Sequence, residues 1–219
     1  MVEEEIEGVV KFHLDFQSAP APHRKLLGPL NAWRTILHRL GLTAQVAGRY
    51  GGLAYGNLST RVFGEEVLGL SPLFVVSGTQ TGGLAVLTEN HYCWVVDYSL
   101  HANWLQAVGP ISPSSETLTH AAVYDADPAL NCVVHVHCPE VWSCAQRLRI
   151  PIVEDRIPYG TPEMASAVAA LVRHKTHSLI AMAGHPDGIV AYGESIEDTA
   201  TTLICTFAQA LQLMQQGEA

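Results

Sequence analysis

The residues with the most chemistry to offer are His135-Val136-His137. Side chains alternate along an extended strand, so both imidazoles would point to one face, where they can chelate a single transition metal. The competing reading is two unrelated histidines, one satisfied in a core and one at a strand end. The three-residue motif alone does not decide between them. A carboxylate stands nearby in sequence. Glu116 follows Pro113-Ser114-Ser115 at the start of a predicted helix, where the helix dipole favours an acid whatever its role. His120 lies four residues on, on the same helix face. Either Glu116 and His120 form a ligand pair, or His120 orients Glu116. His185 is a further imidazole, set between an apolar segment and the turn sequence Pro186-Asp187-Gly188. It either reaches a cleft or is an exposed turn residue. The other seven histidines (His13, His23, His38, His91, His101, His174 and His177) show no ligand arrangement. Cys138 adjoins His137, with Cys132 and Cys144 six residues to either side. Buried structural thiols are the commoner outcome, against a thiolate ligand or nucleophile.

Two glycine-containing loops can present backbone N–H groups and hydroxyls to an anion: Gly56-Asn57-Leu58-Ser59 and Ser77-Gly78-Thr79-Gln80-Thr81-Gly82. Neither is a Walker A loop or a dinucleotide fingerprint.

These residues need elements to hold them. Leu26, Leu30, Trp33, Leu37 and Leu40 step by three or four and end at Gly41, a helix stop. Gly28-Pro29 interrupts the start, so the helix is expected over 29–40 with Leu26 outside it. Residues 73–77, 92–98, 132–136 and 178–183 read as strands. Ser114 and Ser115 are positioned to cap a helix running to about Asp127, which Pro128 stops. Thr161-Pro162-Glu163 is a helix start. Ser195-x-x-Asp198 resembles a capping box ahead of a C-terminal helix through Met214. Strands and helices interleave, so the class is α/β or α+β in one domain. Residues 17–23, a Pro/Ala-rich stretch, set off 1–23 as a short N-terminal extension.

Composition bounds the function. The chain has 219 residues, 48% hydrophobic and 15% charged, with a formal net charge of -9. That excludes a disordered chain and argues against broad nucleic-acid or anionic-membrane binding. No apolar run approaches the roughly 20 residues of a membrane span, and the acidic N-terminus does not read as a signal peptide. Five cysteines without a C-x-x-C do not form a disulfide framework, so a cytoplasmic setting is expected.

Taken together, Gly56-Asn57-Leu58-Ser59-Thr60-Arg61, the SGTQTG loop at 77–82, Pro113-Ser114-Ser115-Glu116, His135-Val136-His137 and His185 resemble the class II aldolase/adducin family, in the family's order. Glu116 precedes His135 by 19 residues, matching the family's spacing. The resemblance covers roughly residues 25–215. It implies one domain over 1–219, with a central mostly antiparallel or mixed sheet flanked by helices. It also implies a homotetramer with active sites at subunit interfaces. By the same resemblance a divalent ion, Zn2+ by expectation, is held by His135, His137 and His185, and Glu116 can ligate the ion and act in proton transfer. The ion polarises a carbonyl during retro-aldol cleavage. A substrate phosphate would lie among Gly56, Asn57, Thr81, Gly82, Ser114 and Ser115.

The implied activity is that of a metal-dependent aldehyde-lyase on a small hydroxylated carbonyl compound such as a sugar phosphate. Alternatives are an epimerase or dehydratase using the same site, or a non-catalytic interaction domain. The chain departs from the family pattern in two places. Its third histidine sits in GHPDG rather than H-H-G or N-H-G, and Gln80 stands where many members carry proline. Tyr159 is a candidate for the tyrosine that members use as a proton donor, although packing beside a helix start explains it more simply.

Overall fold

In the computed structural model, residues 9–174 and 177–217 are described. The elements run β1 (His13–Ser18), α1 (Arg24–Arg39), β2 (Ala44–Gln45), β3 (Ala54–Tyr55), β4 (Asn57–Arg61), β5 (Phe74–Ser77), β6 (Tyr92–Ser99) and β7 (Trp104–Gly109). They continue with α2 (Thr117–Ala126), β8 (Cys132–His137), α3 (Pro139–Ser143), β9 (Ile152–Val153), α4 (Pro162–Arg173), β10 (Leu179–Met182), β11 (Gly188–Gly193) and α5 (Ile196–Gln215). Nine strands form one sheet in the order β1-β7-β6-β5-β4-β8-β11-β10-β9, and β2 and β3 make a separate two-stranded ribbon. The inner pairs are antiparallel, while the edge strands β1 and β9 join in parallel. The fold is therefore a single-domain mixed sheet flanked by helices.

Alternation along β8 builds both layers. Val134 and Val136 point into a core with Leu27, Leu30 and Leu37 of α1, Val141 of α3 and Leu203 of α5. Val133 points the other way, into a core with Leu118 and Ala121 of α2 and Met164 and Val168 of α4. By the same alternation His135 and His137 share the α2 face.

The helix ends follow local chemistry. Thr161 accepts from the Met164 N–H at 3.2 Å, with Pro162 in the first turn. Ser195 accepts from the Asp198 N–H at 3.1 Å. Gly41, at φ +74°, closes α1 in a Schellman arrangement: Leu42 N–H donates to the Leu37 carbonyl and Gly41 N–H to that of His38.

Two expectations need correction. α1 starts at Arg24, not 29, and includes Leu26. The imidazole of His23 accepts from the Lys25 N–H, and Pro29 sits inside the helix. Pro29 and Lys25, whose carbonyl loses its partner, lie on the exposed side of the helix, where water can replace the missing bond, while Leu27 and Leu30 are buried. Ser114 and Ser115 do not cap α2. The N-cap position is Glu116, without a side-chain cap bond, and Thr117 N–H donates to the Ser114 carbonyl. The described part of the N-terminal extension contributes an edge strand, His13–Ser18, paired with β7.

Candidate metal centre and adjoining cleft

β8 is bonded on both sides. His135 lies opposite Asn57 of β4 and Val190 of β11, and His137 lies opposite Gly188. The turn before β11 delivers His185: its N–H donates to the Met182 carbonyl at 3.0 Å, and Gly188 N–H donates to the His185 carbonyl at 2.9 Å. A Cβ on Gly188 would fall 2.4 Å from Cδ2 of His185, so only glycine lets the imidazole lie against this turn.

The three imidazoles converge. Their ring centroids are 4.7–5.2 Å apart, Nε2 of His137 and Nε2 of His185 are 2.9 Å apart, and a donor nitrogen from each falls within 4.8 Å of the others. Tetrahedral zinc with Zn–N near 2.0–2.1 Å needs donor nitrogens about 3.3 Å apart, a separation these distances bracket. Nδ1 of His135 faces the Ile189 carbonyl at 3.2 Å. A carbonyl only accepts, so Nδ1 carries the proton and Nε2 keeps its lone pair. Nε2 is buried and has no hydrogen-bond partner. An orphaned, inward-facing lone pair on a tautomer fixed by the backbone is what a metal ligand requires.

Burial also keeps the rings neutral. It pushes His135 down to about 4. His137 and His185 lie well below the usual imidazole range, first from burial and then from the neighbouring imidazoles, with Arg49 adding to the effect at His137 and Lys11 at His185. Neutral imidazole is the ligating form. The residues present therefore fit a divalent ion.

Glu116 is fully buried at the N-terminal end of α2, and its Oε2 accepts from the Thr119 hydroxyl at 2.9 Å. It stands outside the three-histidine cluster. One turn on, Nδ1 of His120 lies 2.8 Å from the Ser59 hydroxyl, which in turn lies 2.7 Å from the Tyr124 hydroxyl. Burial and the nearby His135 push His120 down to about 3.

Of the residues expected to bind substrate, Gly56, Asn57, Gly82, Ser114 and Ser115 line one small cleft. Thr81 does not line it. Its hydroxyl donates to the Gly78 carbonyl at 2.7 Å, and the middle loop contributes Gly78, Thr79 and Gln80 instead. Gln80 adopts φ +56°, which proline cannot reach, and its side-chain carbonyl accepts from the Ala54 N–H at 2.9 Å. The departure at this position thus builds a different loop conformation.

Several aromatic residues surround the histidines; the resemblance offers Tyr159, while sequence spacing gives no sign of Tyr50 or Tyr55. The Tyr50 ring packs edge-on against His137 at 4.3 Å, Tyr55 lies 5.0 Å from His137, and Tyr159 lies 4.6 Å from His185. The Tyr50 hydroxyl donates to Asp187 Oδ2 at 2.5 Å and accepts from Nη2 of Arg49 at 2.6 Å. The local signals read only as turns, a glycine-rich run at 48–56 and Pro-Asp-Gly at 186–188. On the far side of the cleft loop, buried Arg34 of α1 donates to the carbonyls of Thr81, Gly82 and Leu84.

Comparison with known proteins agrees with this architecture. The sequence model of the Class II Aldolase and Adducin N-terminal domain matches residues 46–213. L-fuculose-1-phosphate aldolase from Thermus thermophilus superposes with a TM-score of 0.61 at 20% identity, over 89% of this chain and 95% of that one. Sugar-phosphate aldolase from Thermotoga maritima gives 0.66 at 15% identity, over 90% and 97%. Methylthioribulose-1-phosphate dehydratase of Stenotrophomonas maltophilia (strain R551-3) is 49% identical over 47 residues, 21% of this chain. That match spans only 22% of the dehydratase.

Proposed function

Because the chain belongs to the class II aldolase and adducin N-terminal domain family, we propose that it is a divalent-metal-dependent aldehyde-lyase. Its substrate on this reading is a small hydroxylated carbonyl compound bearing a phosphate, cleaved in a retro-aldol reaction. The observation that carries the reading is the buried lone pair of His135 within a three-imidazole cluster beside the Gly56/Ser114 cleft.

His135, His137 and His185 would hold the ion, with Zn2+ the expected occupant. When bound, the ion supplies Lewis-acid polarisation of the substrate carbonyl. Glu116 moves the protons, taking one as the bond to the departing fragment is broken and returning one to the carbon left behind. Its burial shields that exchange from bulk water. Asn57, Ser114, Ser115 and the backbone of Gly56 and Gly82 hold the phosphate by neutral hydrogen bonds. The proposal includes a homotetramer and a reducing, cytoplasmic setting. The five free thiols suit that setting, four of them buried. No helix among the described residues is long and apolar enough to cross a membrane.

Dehydration at the same site is the second reading, and the local match to a dehydratase favours it. Incubation of the metal-loaded protein with a panel of ketose and aldose phosphates separates the two. An aldolase yields two shorter fragments, whereas a dehydratase keeps the carbon count and releases water. Purified wild-type protein should carry stoichiometric metal, and the His135→Ala/His137→Ala variant should carry none. Stoichiometric metal in that variant would overturn the site, and wild-type protein with neither metal nor turnover would leave a non-catalytic interaction domain.

A further inference from the structure

No lysine, arginine or histidine among the described residues lines the Gly56/Ser114 cleft. An anion there is held by neutral donors alone, so each donor counts. The middle loop has already committed several of its own. Gly78 N–H donates to the His91 carbonyl at 2.8 Å, and Thr79 N–H donates to the Ser112 carbonyl at 3.0 Å. The Thr81 hydroxyl is spent on the Gly78 carbonyl. Of the loop residues that line the cleft (Gly78, Thr79, Gln80 and Gly82), only Thr79 and Gln80 carry side-chain donors.

The Gln80 amide has a defined orientation. A backbone N–H only donates, so the prong that faces Ala54 N–H at 2.9 Å is the oxygen, Oε1. Nε2 is the other prong, and its two N–H groups make no hydrogen bond to the described residues. Gln80 is exposed and lines the cleft, which places it at the rim. Its backbone is left-handed at φ +56°, a conformation that is costly for a residue other than glycine. The rest of the loop is braced around it. A Cβ on Gly82 would overlap the Tyr55 carbonyl, and Arg34 draws the carbonyls of Thr81 and Gly82 onto itself. Loop oxygens that would repel an anion are thereby occupied, as is Oε1 of Gln80.

We propose that Gln80 is a further substrate-binding residue, whose Nε2 donates to the substrate phosphate from the middle loop while Oε1 ties that loop to β3. Proline at this position has neither group and cannot adopt the same φ, so the division of labour is particular to glutamine here. This rests on the reading above in which the cleft takes a phosphate.

The test uses the full-length, metal-loaded protein with erythritol 4-phosphate as probe and erythritol as its unphosphorylated control. Wild type should bind the phosphorylated probe at least about 10-fold more tightly by calorimetry. Gln80→Met, close in length and without an N–H, should weaken it about 10-fold. Gln80→Glu keeps an oxygen for Ala54 N–H but has no N–H to give, and it should lose at least as much. In wild type the side-chain amide signals of Gln80 should move as the probe saturates, followed by NMR. That measurement stands alone if a variant does not fold, and it separates direct contact from bracing of the loop.

Affinity within about threefold of wild type in either variant overturns the role of Gln80, and so do amide signals that stay put at saturation. Failure of the underlying reading looks different. Wild type that does not prefer the phosphorylated probe removes phosphate from the cleft, and the role of Gln80 falls with it. A phosphate preference that the variants leave intact sinks Gln80 alone.

Discussion

Gly188 and Glu116 illustrate how single positions govern the site. The missing side chain of Gly188 is the space that the His185 ring occupies. Gly188→Ala should push that ring away and weaken metal affinity about 10-fold or more, a size typical when a ligand's supporting contact is lost. Competition against a chelator of known affinity measures it. Glu116→Gln should keep the metal and lower turnover about 10²–10⁴-fold, the range for a positioned proton-transfer group. Unchanged turnover in that variant removes Glu116 from the chemistry.

His120 predicts an acid dependence of stability. Its folded-state pKa is depressed to about 3, so the folded protein binds its proton less readily than the unfolded chain does. Stability from this ring is complete above about pH 6.5 and is lost as pH falls through the range down to about 3. Unfolding titrations at pH 7.5 and pH 5 should differ by about 2 kcal/mol from this group alone. His120→Gln should reduce that difference.

The histidines themselves were legible, because H-x-H in a strand is a local pattern. Arg49, Tyr50 and Asp187 were not, since 137 residues separate Tyr50 from Asp187 and only the folded sheet brings them together.

Among the elements, β5, β6, β8 and β10 and the starts of α4 and α5 were legible because runs of β-branched and aromatic residues, Thr-Pro-Glu and Ser-x-x-Asp act within a few residues. The start of α1 was misread because a proline rule that holds in a buried helix interior was applied to a solvent-facing turn. β1 was missed because five of its six residues are exposed, and an edge strand without a buried face shows no hydrophobic alternation. α1 has a task that its pattern hides. Through Arg34 it holds the cleft loop at Thr81, Gly82 and Leu84. Arg34→Met should leave the buried carbonyls of Thr81 and Gly82 without a donor and lower stability by about 2–3 kcal/mol. Amide exchange in residues 78–84 should rise more than in β8. An even rise across the sheet would show that the arginine only fills space.

At the scale of the molecule, the family match begins at residue 46, yet β1, α1 and Arg34 lie before it and are integral to the sheet and the cleft. The proposed tetramer predicts a sedimentation mass four times that of the chain, and a monomer with full turnover would remove the subunit-interface reading. The sheet order also bears on the sequence of events when metal arrives. β8 is bonded along both edges, to β4 and to β11, so the backbone positions of two proposed ligands, His135 and His137, are set by the fold before any ion binds. Ion uptake should then be a single bimolecular step with no slow ordering phase, its rate rising linearly with metal concentration in stopped-flow mixing. Were an ion held there, the chain could release and rebind it without unfolding to be recharged.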